Sequence, residues 1–182
     1  MNCQKYLFKS SCICYDRIMN GYSFRGDKMV KANYIQDFSK WEKGFTYAAP
    51  LTVRFSDIDM FGIANNATII SYLEFARIEY FKHLGLMQDW LLEEQVAVPV
   101  VADIQCDYVK PIYYDETISI GVKVETIGQS SIDIHYLGKN NKDQIVFTGR
   151  STIVQVHKET GKGHPWTHEE KQYFETTEVA KQ

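Results

Sequence analysis

Residues 53–66 read Val53-Arg54-Phe55-Ser56-Asp57-Ile58-Asp59-Met60-Phe61-Gly62-Ile63-Ala64-Asn65-Asn66, and this stretch concentrates the chemistry of the chain. Asp57 and Asp59 stand two apart at the end of an alternating run, so both side chains can lean to one side of a strand. Seven residues after Asp59, Asn66 opens a long segment of helical periodicity. A helix start leaves backbone N–H groups without intrahelical partners and carries the positive end of the helix dipole. Both properties suit a developing oxyanion. Gly62 permits a close approach of backbone to ligand. A carboxylate beside such N–H donors is the minimum set for acyl transfer: a nucleophile or base, and a holder for the oxygen's charge. The same residue types also cap turns and helices. Asp57 therefore reads as a structural acceptor and stays a secondary candidate, with Gly62 and Asn65.

The elements that position these residues follow from periodicity. Leu51, Val53 and Phe55 alternate within Tyr47–Phe55, which predicts a half-buried strand. Ile69, Leu73, Ala76, Tyr80 and Leu84 then recur at spacings of three and four, with Ile70, Ile78 and Phe81 widening the stripe. Gly85 follows, where a left-handed cap ends a helix. So wide an apolar stripe predicts a helix wrapped by a sheet. From Val96 the period becomes two: Val96–Val109, then Ile118–Val124, Ile132–Tyr136 and Ile145–Val154, with Asn140-Asn141 as a hairpin turn. Thr167-His168-Glu169-Glu170 starts a short terminal helix. Strand, long helix, then four strands predicts an antiparallel α+β domain.

The pattern R-x-x-D-x-D-x-x-G-x-x-N-N, followed by Tyr72-Leu73-Glu74-Phe75-Ala76-Arg77, resembles the hotdog-fold acyl-CoA thioesterases of the 4-hydroxybenzoyl-CoA thioesterase-like family. The resemblance is specific from Arg54 to Arg77, and element order agrees from about Thr46 to Val156. It implies a curved antiparallel sheet of about five strands wrapped around one long helix. It also implies a homodimer whose two sheets join, often paired again into a homotetramer, with active sites at the subunit interface. By position, Asp59 takes the place of the catalytic carboxylate, as nucleophile or as base for water. The N–H of Asn66 takes the oxyanion-hole place. Glu74 takes the place of a helix carboxylate that some relatives use catalytically, although an ion pair with Arg77 three residues on explains it as well. Many members carry His where this chain has Ile63, and Val where it has Ala64. The missing imidazole disfavours any mechanism that needs one beside Asp59, and the dehydratase branch of the fold with it. The resemblance implies hydrolysis of an acyl-CoA, or an acyl carrier protein thioester, to free acid and thiol. The alternative is a hotdog module that binds or senses acyl-CoA without hydrolysing it. Coenzyme A is then part of the substrate, and no separate cofactor is expected.

Other residues are weaker candidates. Arg150, His157 and Lys158 are cations that suit the phosphates of coenzyme A. Cys106 in an alternating strand reads as a small core filler. His83 fits the carbonyls at the helix end, and His135 a surface position on its strand. With 45% hydrophobic and 24% charged residues, the composition excludes a disordered chain or a rod. A net charge of −3 gives no footprint for nucleic acid. No apolar run reaches the roughly 18 residues of a membrane span. Four Cys lack metal-ligand spacing, so neither a zinc site nor a disulfide scaffold is expected.

Residues 1–28 differ from the rest. They hold Cys3, Cys12 and Cys14 and carry a net charge of +3, against −6 for the remainder. No apolar stretch of about 7–15 residues marks a secretory signal, which predicts a cytoplasmic protein. Arg25-Gly26-Asp27-Lys28-Met29 can be encoded as AGA-GGU-GAU-AAA-AUG, a bacterial ribosome-binding site followed by a start codon. The expectation is an N-terminal extension, disordered or a mis-assigned start, ahead of one hotdog domain over residues 29–182.

Overall fold

Apolar residues at helical spacing fix the centre of the molecule. A computed structural model of the chain describes residues 32–175, and α2 (Asn66–His83) runs through its middle. Ile69, Leu73, Ala76, Tyr80, Phe81 and Leu84 are all buried, as their spacing predicts. The expected extension over residues 1–28, and its boundary at Met29, lie outside the described residues.

Around α2 stand α1 (Phe38–Lys43), β1 (Tyr47–Thr52), α3 (Leu86–Trp90), β2 (Ala97–Tyr108), β3 (Thr117–Ile127), β4 (Ser131–Asn140), β5 (Ile145–His157) and α4 (His168–Glu175). The strands make one antiparallel sheet in the order β1-β3-β4-β5-β2. One face of it packs on α2. Gly149 in β5 permits the close approach: a Cβ there would come within 3.0 Å of Leu73 on the helix. Register breaks at Val101/Asp103, Val124/Thr126 and Gly138/Lys139 are bulges, which add bend and twist to the strands.

The structure differs from the sequence reading in several places. The first strand stops at Thr52, because Phe55–Asp57 forms a 3-10 turn in which the Arg54 N–H donates to the Asp57 carboxylate. Gly85, at φ 80°, ends α2 but also opens the short α3, whose five residues are too few to show a period. α1 was not anticipated, although Asp37 caps its start by accepting the Lys40 N–H. Its Trp41 packs on the outer sheet face and donates through Nε1 to His135 Nδ1 at 2.7 Å. His135 is therefore buried, not a surface residue: α1 covers its side of β4. The terminal helix begins as expected at Thr167, where Thr167 and Glu170 exchange hydrogen bonds in a capping box. Among the described residues no helix is long and apolar enough to cross a membrane.

Candidate active site

The two aspartates of the motif have opposite environments. Asp57 is buried and accepts from Arg54 N, Nε and Nη2, from Ser56 Oγ, and from the Tyr72 hydroxyl at 2.9 Å. Burial alone would raise its carboxyl. The hydrogen bonds from Arg54 and Tyr72 outweigh that and hold it below the usual carboxylate range. Tyr72 sits one helical turn and a half into α2, so this cluster ties the 3-10 turn to the helix.

Asp59 is half-buried, at the start of a tight turn. Its backbone N–H donates to the Ile63 carbonyl at 2.8 Å, and Gly62 N–H donates back to the Asp59 carbonyl at 3.0 Å. The Phe61 N–H holds Asp59 Oδ1 at 2.8 Å. Among the described residues none donates to Oδ2, which leaves one carboxylate oxygen available. Gly62 adopts φ 75°, while a Cβ on it would meet nothing within 4 Å. The glycine thus serves the backbone turn and does not clear space for a ligand.

Asn65 caps α2: its Oδ1 accepts the Ala67 N–H at 2.9 Å and its own N–H donates to the Asp57 carbonyl. Asn66 follows as the first helical residue, and among the described residues no acceptor takes its N–H. It lines a cavity of about 100 Å³ whose walls include Ile63, Ala64, Ile69, Val146 and Phe147. Ile63 joins the two parts of the site, since its carbonyl holds Asp59 and its side chain faces the cavity.

Tyr108, at the end of β2, is a residue the sequence reading missed. Its ring lines the same cavity and its hydroxyl donates to the Asn66 carbonyl at 3.0 Å. No spacing links it to Asn66, 42 positions earlier, so sequence periodicity carries no signal for it.

Other candidates lie elsewhere. Glu74 is exposed on α2 and stands 3.9 Å from Arg77, whose buried guanidinium donates to the Tyr136 hydroxyl. Both border a second apolar cavity of about 300 Å³ between α2, α3 and β2. Arg150 pairs with Asp133 at 3.1 Å and Asp103 at 3.7 Å. His157 and Lys158 stand at the far end of β5, seven residues or roughly 23 Å from Arg150 along a strand. The structure does not bring these cations together. Burial, with Asp107 beside it, pushes the Cys106 thiol up to about 12, so it stays protonated.

Residues 53–174 match the family model of the thioesterase-like superfamily. The protein YsmA of Bacillus subtilis is 43% identical over 135 residues, covering 74% of this chain and 89% of YsmA. The acyl-CoA thioesterase YbgC of Haemophilus influenzae is 30% identical over 91 residues, half of this chain and 65% of YbgC. Among solved structures, a thioesterase of Thermus thermophilus complexed with coenzyme A and Zn superposes with a TM-score of 0.62 at 28% identity, covering 74% of this chain and 96% of that one. The chain belongs to the thioesterase-like superfamily, as a thioester hydrolase built on the hotdog fold.

Proposed function

We propose that the chain hydrolyses acyl-CoA thioesters at the junction of the Asp59 turn and the start of α2. One observation carries this reading: Asn66, at a helix terminus with an N–H that no described residue accepts, lines a largely apolar cavity together with Ile63, whose carbonyl holds the Asp59 backbone N–H, and Asp59 keeps one carboxylate oxygen to which no described residue donates. The cavity takes the acyl group. The Asn66 N–H polarises the thioester carbonyl and stabilises the oxyanion, a role in which loss of one donor costs about 2.7–4 kcal/mol in other enzymes. Asp59 attacks the carbonyl carbon and expels the CoA thiolate, leaving an acyl-aspartyl anhydride that water cleaves, or it takes a proton from the attacking water. Ile63 supplies no imidazole, so the carboxylate acts without one. The same chemistry serves an acyl carrier protein thioester, which differs in what surrounds the phosphopantetheine.

The functional unit of this reading is a homodimer, with a dimer of dimers as its further assembly, and the site lies at the subunit interface. Support comes from β2, an edge strand of 12 residues that exposes Val100, Val101, Ile104 and Tyr108. A long apolar edge is a template for another strand.

Asp59→Asn tests the mechanism. Thiol release from a panel of acyl-CoAs should fall by about 10²–10⁴-fold, the span attributed to a general base, with fold and oligomeric state unchanged. Undiminished release would remove Asp59 from the chemistry.

A further inference from the structure

Phe147 lines the cavity at the start of α2, and Phe147 rests on Gly138. The two residues are direct partners across β4 and β5. A Cβ placed on Gly138 would lie 2.5 Å from the Phe147 ring, far inside van der Waals contact. The ring therefore occupies the space that any side chain at position 138 would take, as aromatic rings do when they cover a strand glycine. Phe147 is fully buried and belongs to the hydrophobic core, so the wall it forms is packed among other core side chains. Beside it the bulge leaves Val146 without a partner on β4, and Val146 lines the same wall.

Resting on the acyl-CoA thioesterase reading above, we propose that Phe147 on its Gly138 seat is the ruler that limits the substrate to short aliphatic acyl groups of about four carbons. The cavity holds about 100 Å³. An apolar protein cavity of about 150 Å³ accepts the six carbons of benzene, so this one accepts about four. Ile63, Ala64, Ile69 and Val146 give it an aliphatic wall and the Tyr108 hydroxyl is engaged by the Asn66 carbonyl, while Lys110 and Asn66 are its other polar lining residues. A longer chain would have to displace a ring packed into a dense core.

S-alkyl-CoA thioethers from ethyl to dodecyl test the ruler without any catalytic step, because they carry the chain but no scissile acyl bond. Isothermal titration of the full chain should show affinity rising about fourfold per methylene as far as butyl, then levelling or falling. Phe147→Leu should move that break to a longer chain. Gly138→Ala, which lifts the ring into the cavity, should move it to a shorter one, and either variant suffices if the other fails to fold. An affinity that climbs steadily to dodecyl, or a break that stays at one length in every folded variant, overturns the proposal, as does failure of every thioether to bind. Thiol release from the matching acyl-CoAs is measured separately. A break at butyl without thiol release would refute the hydrolase reading and leave the ruler standing, whereas thiol release without a break would do the reverse.

Discussion

Asp57 and Asp59 are chemically identical and two residues apart, yet their surroundings separate them into an anchor and a carboxylate with one oxygen to which no described residue donates. Asp57 is saturated with donors from Arg54, Ser56 and Tyr72. A carboxylate so engaged has no lone pair directed at a substrate. Its lowered pKa makes it a stabiliser with a definite sign: the contribution is complete above the ordinary carboxylate range, where the unfolded chain also carries the charge. It is lost as pH falls through the depressed folded value, because the unfolded state then binds more protons. Tyr72→Phe removes one donor to that charge, and should cost about 1.5–3 kcal/mol at pH 7. Urea unfolding of variant and wild type from pH 7 toward pH 3 should show the gap narrowing as Asp57 protonates. A gap that is constant across that range would assign the loss to packing. The motif itself was legible, since R-x-x-D-x-D-x-x-G-x-x-N-N lies in one stretch. Which aspartate is engaged was settled by Tyr72, fifteen residues beyond Asp57, and by a 3-10 turn that alternation does not reveal.

At the level of elements, periodicity recovered α2 and the five strands, because α2, β3, β4 and β5 bury one face and so repeat at 3.6 or 2, while β2 is a long run of extended-chain residues exposed along most of its length. It could not find α1 or α3, each about one turn and a half long. The omission of α1 had a consequence, since α1 turns His135 from a surface residue into a buried one. Trp41 Nε1–H donates to His135 Nδ1, so the imidazole must be neutral there. Burial lowers the His135 pKa and Lys123 adds to that, against the opposing pull of Asp133 and Glu125. A histidine with a lowered folded pKa contributes fully above its unfolded value, and the contribution is lost as pH falls from there through the folded value. Trp41→Phe leaves the buried Nδ1 unpaired, and should cost about 1–3 kcal/mol at pH 7.5. His135→Gln keeps an acceptor and removes the titration. Its thermal midpoint should therefore drop less than that of the wild type between pH 7.5 and pH 5, a difference that isolates His135 from the carboxylates titrating in both proteins. Equal drops would mean that α1 is docked without regard to His135.

Among the described residues the sheet has two edges. In the order β1-β3-β4-β5-β2, the six-residue β1 and the twelve-residue β2 are the outer strands. Natural edge strands are short, charged or interrupted when they are meant to stay single. β2 carries Pro99, the exposed Asp103 and a bulge between Val101 and Asp103, yet it is long, and Val100, Val101 and Ile104 are each more than a third exposed along it. The β2 edge also adjoins the 300 Å³ cavity lined by Glu74, Arg77 and Val98–Val101, and its last residue, Tyr108, lines the cavity at the start of α2. Pairing at this edge would therefore bring a second copy against these two cavities of the first. Placing two lysines on the edge, as Val100→Lys with Ile104→Lys, sets like charges opposite one another in a symmetric pairing, which is unfavourable. Light scattering after gel filtration should show a dimer, or a multiple of it, for the wild type and a monomer for the double variant. Thiol release should fall together with the dimer, while the far-ultraviolet spectrum of the monomer stays that of a folded chain, since neither residue belongs to the core around α2. A fully active monomer would show that one chain holds the complete site, and a double variant still dimeric would move the interface away from β2.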